Sequence, residues 1–454
     1  MDSSRLFRST TVRYTRSMSN SIRRFLRGTK RVVVPVVVVG MIGMAAMPFS
    51  QAAVDRGASG IVPGQYIIVM KDGVADGTDM VADQLERSHR IRTEARFYRV
   101  LRGFTATLSD AQLAEVKNDP RIAAVVPDRI VEAFGPTRLA PSFSRVTVPQ
   151  PAQVVPTGVA RIGAATDSGT GAGVTVAVID TGINLSHPDL KANIVANKNC
   201  LAPRKTGTDD NGHGTHVAGT IAALDNSIGV VGVAPQAKLA AVKVLNSKGA
   251  GTWSSVICGI DWVTQNAARY GITVANMSLG GAGVSDGDCG ATNADPLHQA
   301  ICRSRDAGIT YVVAGGNNGA DASGFVPAAY TDAVIAVSAL ADSDGIAGGS
   351  GSATTYGPDD TFATFSNYGN IIPIGAPGVG IRSTWLGTGY ATLSGTSMAA
   401  PHVAGVVALY GAAHPGVTWT AIRDALVSAG EVLGAGHSDP SGVHPEPVVR
   451  VPAL

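Results

Sequence analysis

The chain has 454 residues, 55 of them glycine, with 45% hydrophobic and 15% charged side chains. That is enough apolar material for two or three packed domains and too little charge for a disordered chain. Basic residues outnumber acidic ones nine to one in residues 1–31, whereas acidic residues lead by 21 to 14 in residues 152–454. An acidic C-terminal two-thirds argues against a nucleic-acid partner and fits cation binding or simple solubility.

The basic N-terminus leads into the apolar run "VVVPVVVVGMIGMAAM" and then "PFSQAAV". A basic region, a short apolar core and a small-residue exit read as a secretory leader over residues 1–53. The run is short for a stable membrane anchor and contains a proline and two glycines. Residues 61–134 form the next unit. "QYIIVMK" alternates like a strand, "GTDMVADQLERSHRI" has helical spacing and "FTATLSD" is a second strand. "DAQLAEVKNDP" follows as a helix capped by Asp110, and "IAAVVPDRIVEAF" closes with strand character. That order predicts a small α+β domain. Residues 135–151 are proline-rich and aperiodic, which predicts an exposed linker and processing region.

From residue 152 to 454, strands alternate with helices. "GVTVAVID", "KLAAVKVL", "ITVANMSL", "ITYVVAGG" and "AVIAVSAL" read as strands buried on both faces. "HGTHVAGTIAAL", "TWSSVICGIDWVTQNAARY", "PLHQAICRSRDAG", "TSMAAPHVAGVVALY" and "TWTAIRDALVSAG" read as helices. The expected fold class is α/β, a doubly wound and mostly parallel sheet, which places ligands at the carboxyl ends of its strands.

Asp180 stands at the end of "VTVAVID". His213 opens the helix after "DDNG", flanked by two glycines that leave room around its ring. Ser397 opens the apolar helix of "LSGTSMAAPHVAGVVALY". Alone, that serine reads first as an N-cap, but a helix N-terminus also stabilises an anion. The pair His213 and His216 lacks the HExxH arrangement of a metal site, so His216 is taken as structural. Nucleophilic catalysis needs a hydroxyl, an imidazole to take its proton and a carboxylate to hold the imidazole. Ser397, His213 and Asp180 supply them from three strand-to-helix junctions of one sheet. Asn317, in the glycine-rich turn "VVAGGNNGA", is the candidate oxyanion donor, together with the backbone N–H of Ser397.

The motifs "VAVIDTGINLSHPDL", "NGHGTHVAGTIAAL", "VANMSLGG", "VAGGNNG" and "GTSMAAPHVAG" resemble, in this order, those of the subtilisin-family serine proteases. The order Asp, His, Ser is that family's own. The resemblance implies a subtilisin-like fold and a secreted serine endopeptidase. Such an enzyme would act on polypeptide substrates through an acyl-enzyme without a catalytic cofactor; with the charge balance and the short apolar run, no nucleic-acid partner or membrane anchor is expected, and the chain is expected to be a monomer. Gly249, Ala250, Gly251 and Ser278, Leu279, Gly280 would hold a substrate as an added strand. Ala314, Gly315 and Gly316 would form another wall of the P1 pocket, with Phe325 near its base and an apolar P1 preference. Residues 61–134 resemble the family's inhibitor-like propeptide, which would act as an intramolecular inhibitor and be removed by the enzyme itself, at a bond between residues 134 and 153.

A structural calcium ion would be held in "AALDNSIGVVG" by the backbone oxygens of Leu224, Ile228 and Val230, by Asn226, and by Asp189 and Gln153. Asp342, Asp344, Asp359 and Asp360 mark a second candidate cation region in an inserted loop. Four cysteines allow three pairings. Cys289–Cys302, which closes a short loop, with Cys200–Cys258 as the remainder, is favoured. A narrow-specificity processing protease is an alternative, as is a catalytically inactive binding homologue. A lipase-like hydrolase is excluded because Ser397 comes last and lacks the GxSxG elbow.

Overall fold

The computed structural model describes residues 60–134, 150–164 and 169–451. The leader and residues 135–149 of the linker lie outside them. All described residues belong to one contact unit, residues 55–454.

The N-terminal part runs β1 (Ile61–Met70), α1 (Thr78–His89), β2 (Arg92–Phe97), β3 (Gly103–Thr107), α2 (Asp110–Lys117) and β4 (Ile122–Ala133). The alternation in β1 sorts its side chains by face. Ile68 and Met70 join Val81 and Leu85 of α1 in a small core of their own. Ile67 and Val69 face the other way, into the cluster that holds Val256, Ile257 and Ile260. The helix α2 is capped by Ser109, not by Asp110 as expected. The Ser109 hydroxyl accepts from the Gln112 N–H, and Gln112 reaches back to the Ser109 N–H. Such a reciprocal box outweighs a lone acidic residue in the first turn.

The C-terminal part continues with α3 (Thr157–Arg161), β5 (Thr175–Asp180), β6 (Ile194–Asn199), α4 (His213–Ala222), β7 (Lys238–Lys243), β8 (Ala250–Thr252), α5 (Trp253–Tyr270), β9 (Ile272–Met277) and β10 (Leu279–Ala282). Then come α6 (Pro296–Asp306), β11 (Thr310–Ala314), β12 (Phe325–Val326), β13 (Val334–Ala341), β14 (Thr361–Phe362) and β15 (Ile374–Pro377). The hairpin β16 (Ile381–Thr384) and β17 (Tyr390–Leu393) precedes α7 (Thr396–Ala413) and α8 (Trp419–Ala429). The main sheet has the order β14-β13-β11-β9-β5-β7-β6, with β15 also on β13. Its pairings are parallel except β13–β14. Strand β5 is buried at every position, as a strand covered on both faces must be. Helix α7 is buried from Thr396 to Leu409, which its small apolar residues permit on every side.

The second sheet crosses the boundary between the two parts. Its order is β12-β10-β4-β1-β3-β2, with β8 also paired to the end of β4. Two carboxylates reinforce that junction. Asp261 of α5 accepts from the backbone N–H groups of Arg99 at 2.6 Å and Val100 at 2.9 Å. Asp128 of β4 accepts from the Ser254 N–H and hydroxyl at the start of α5, where an anion is favoured by the helix dipole. Both disulfides form as favoured, Cys200–Cys258 and Cys289–Cys302.

Candidate active site

Asp180 ends β5 and His213 begins α4, and the two meet because glycine stands between them. A Cβ on Gly214 would lie 2.2 Å from the Gly182 carbonyl oxygen and 3.1 Å from the Asp180 Cβ, so a side chain there would push the helix off the strand. Thr181 and Asp209 fix the junction. The Thr181 hydroxyl accepts from the Gly214 N–H at 2.9 Å. Buried Asp209 accepts from the N–H groups of Asn211, Gly212 and Thr215. Neither residue carries a simple local signal for this role, since the N-cap position of α4 is occupied by Gly212.

His213 Nδ1 lies 2.8 Å from Asp180 Oδ1 and 3.0 Å from Oδ2. An ionised carboxylate only accepts, so Nδ1 carries the proton and donates. Burial by itself lowers the pKa of His213, but the charge and hydrogen bond of Asp180 outweigh it and raise the value above 6.5. His213 Nε2 is buried and has no hydrogen-bond partner. His216 turns away. Its Nε2 is 3.0 Å from the Ile381 carbonyl and 3.2 Å from that of Ala391, so it ties α4 to the β16–β17 hairpin. Burial pushes its pKa down to about 3, and it stays neutral.

Strand β4 lies between β8 and β10, antiparallel to both. Val131 pairs with Gly251 and Glu132 with Ala250, while Ala133 pairs with Leu279 and Glu132 with Gly280. The Ala133 N–H donates to the Gly249 carbonyl at 2.8 Å, and the Phe134 N–H to the Ser278 carbonyl at 3.4 Å. All six backbone residues expected to grip a substrate thus border this one strand. The Phe134 ring rests on Gly280, where an added Cβ would come within 2.4 Å of its Cζ. Phe325 lies in β12, paired with Ala282.

The strand delivers the Phe134 carbonyl to Asn317 and Ser397. Asn317 Nδ2 donates to that oxygen at 3.0 Å. Ser397 Oγ lies 2.9 Å from it and 3.1 Å from the Ser278 carbonyl, and its single proton serves one of them at a time. In the uncut chain that carbonyl thus has the Asn317 amide and the Ser397 hydroxyl within hydrogen-bond distance. Ala314 ends β11 and Gly315 follows it, and Gly316, at φ +108°, turns the chain so that Asn317 faces back towards Ser397. Thr396 sets the amide. Its N–H and its hydroxyl donate to Asn317 Oδ1 at 2.9 and 2.8 Å, and its hydroxyl accepts from the Gly316 N–H. With Oδ1 held by donors, Nδ2 is the end left to face Phe134. Sequence reading passed over Thr396.

The residues expected to hold calcium also converge. Asp189 Oδ1 accepts from Asn226 Nδ2 at 2.7 Å, and Oδ2 from the Val230 N–H at 3.0 Å and the Tyr390 hydroxyl at 3.2 Å. Gln153 Oε1 accepts from the Asn226 N–H. The chain reaches this loop before residue 152, since the Pro151 carbonyl accepts from Gly229.

Comparison with known proteins agrees with this geometry. Residues 171–441 match the subtilase family and residues 65–134 the peptidase inhibitor I9 family. Subtilisin DY of Bacillus licheniformis is 43% identical over 290 residues, covering 62% of this chain and 94% of the relative. Subtilisin E of Bacillus subtilis (strain 168) is 36% identical over 404 residues, covering 86% and 91%. A crystal structure of a cold adapted subtilisin-like serine proteinase superposes with a TM-score of 0.52 at 35% identity, covering 63% of this chain and 91% of that one. The chain therefore belongs to the subtilase family and is a serine endopeptidase made as a zymogen with an inhibitor-type propeptide.

Proposed function

We propose that this chain is an exported endopeptidase that matures by cutting its own Phe134–Gly135 bond. The observation that carries this reading is the Phe134 carbonyl oxygen, held between Asn317 Nδ2 and Ser397 Oγ at the end of a strand seated like a substrate. Ser397 Oγ attacks the Phe134 carbonyl carbon, and His213 Nε2 takes the hydroxyl proton. Asp180 orients the ring and stabilises the imidazolium. The oxyanion is stabilised by Asn317 Nδ2 and, as charge develops, by the Ser397 N–H. The C–N bond then breaks, the Gly135 nitrogen takes the proton from His213, and Phe134 stays as an ester on Ser397 until water releases it. Other polypeptides enter as β4 does, along Gly249, Ala250, Gly251 and Ser278, Leu279, Gly280, with Ala314, Gly315 and Gly316 as a further wall of the P1 pocket. The Phe134 ring supports a large apolar or aromatic P1 residue.

The same reading divides the chain into a leader (1–53), propeptide (61–134), linker (135–151) and peptidase (152–454), with the linker left on the mature N-terminus. Two disulfides and the basic-then-apolar leader support export to the outside of the cell. No helix of the described residues is long and apolar enough to cross a membrane. A calcium ion fits the 224–230 loop, because Asp189 is fully buried and hydrogen-bonded only to neutral donors. Gln153, Asp189, Asn226 and the carbonyls of Leu224, Ile228 and Val230 would hold it.

The test is paired expression of the native chain and Ser397→Ala, followed by intact mass and N-terminal sequencing. Native protein should begin at Gly135 while the alanine variant keeps its propeptide. Identical trimming of both would sink self-processing. Absence of trimming in both would favour the inactive binding homologue.

A further inference from the structure

We propose a second divalent-cation site, of calcium size, formed by Asp342, Asp344 and Asp359 at the neck of the inserted loop between β13 and β14. One carboxylate oxygen from each of the three lies within 4.8 Å of the other two. Asp342 follows directly on β13 and Asp359 stands two residues before β14. Those strands pair as Leu340 with Phe362 and Ala341 with Thr361, so the loop leaves and returns at one point. A cation there joins the two ends of the insertion.

The observation that points to a ligand is Asp342 Oδ2. Asp342 is only 2% exposed, its Oδ1 accepts from the Gly345 N–H at 3.0 Å, and its Oδ2 is buried with no partner. A buried carboxylate oxygen left empty-handed is costly unless something neutralises it. The nearby cation is committed elsewhere. Arg161 is bound to Asp360 and to Glu431, each at 2.7 Å. That removes Asp360 from the set suggested by sequence, since its other oxygen accepts from Gly348 and Gly349. Asp359 is held in place by the N–H groups of Ser343 and Gly351, and each of its oxygens keeps a free lone pair.

The ligand set favours calcium, because carboxylates on a loop suit its flexible shell of six to eight oxygens better than the near-ideal octahedron that magnesium demands. Loop carbonyls and water complete the shell.

The test uses the full-length Ser397→Ala chain, stripped of metal and titrated with calcium chloride by calorimetry, with thermal unfolding in parallel. Asp344 is exposed, so Asp344→Asn leaves the core untouched. Asp342→Asn keeps the acceptor for Gly345 and serves as the second variant. Asp189→Asn reports separately on the loop at residues 224–230. Each of the first two variants should bind one calcium ion fewer than the parent. Each should also lose part of the calcium-induced rise in Tm, roughly 5 °C at a hundredfold excess over Kd, and should unfold without calcium no earlier than the parent. If both bind as many ions as the parent, the site does not exist, whatever Asp189→Asn does. If only Asp189→Asn keeps the full count, this site stands and the first calcium loop fails.

Discussion

Replacing Gly280 by alanine should change which residue the enzyme accepts at P1. The new Cβ would lie 2.4 Å from Phe134 Cζ and 2.8 Å from Cε2, where carbon atoms settle at about 3.5–4.0 Å. A phenyl ring must withdraw by about 1 Å or more, out of the wall it rests on. Burying a Phe side chain contributes roughly 1.5–3 kcal/mol, so losing most of it lowers kcat/KM about 10- to 150-fold. An alanine at P1 never reaches Gly280 and keeps its rate. The assay compares two peptide p-nitroanilides differing only in P1, Phe against Ala, on the matured enzyme. The same Cβ would also press on the Val326 carbonyl oxygen at 2.8 Å, which strains the β10–β12 pairing and would show as a lower Tm. An equal fall for both, or an unchanged Phe rate, would refute the assignment of Gly280 to the P1 wall.

Asn317→Ala should lower kcat by about 10²–10³ with KM nearly unchanged, the loss known for the same donor in a subtilisin; an equal rise in KM would mean that the amide binds the ground state instead. Self-cleavage at Phe134 should speed up as pH rises through the His213 pKa, which lies above 6.5, because only neutral Nε2 can take the serine proton. A rate that stays flat from about pH 5.5 to 8.5 would remove His213 as the base. Arg161→Met leaves Asp360 and Glu431, whose side chains are 2% and 5% exposed, without their shared cation. It should cost about 3–5 kcal/mol in denaturant unfolding, and a loss below about 1 kcal/mol would show the network to be dispensable. Removing Cys200–Cys258, which spans 58 residues, should destabilise more than removing Cys289–Cys302, which spans 13, about 4 against 3 kcal/mol in the loop-entropy picture. Paired serine variants compared by Tm would expose the reverse order.

Much of this protein is written in local pattern. The run "VTVAVID" forms a strand buried on both faces and leaves Asp180 at its carboxyl end whatever surrounds it, because the apolar run and the turn after it are contiguous. Gly271 stops α5 in the left-handed conformation, as a glycine after the last periodic residue should. The reactive groups are equally legible, since each sits at a junction fixed by its own neighbours. The strands that grip Phe134 are not. "AGT" and "LGGA" have no strand propensity; they become β8 and β10 through pairing with β4, more than a hundred residues earlier in the chain. The same holds for the proposed cut at Phe134 among the bonds between residues 134 and 153. Register along β4 is set by the face that packs on the second part, and no local signal carries it. Likewise four aspartates read alike in sequence, yet Arg161 arrives from a distant helix and takes Asp360 away. Sequence alone determined which chemical groups stand at which strand ends; the tertiary structure decided which peptide bond they face and which carboxylates are left without a partner, because those depend on pairings between segments far apart in the chain.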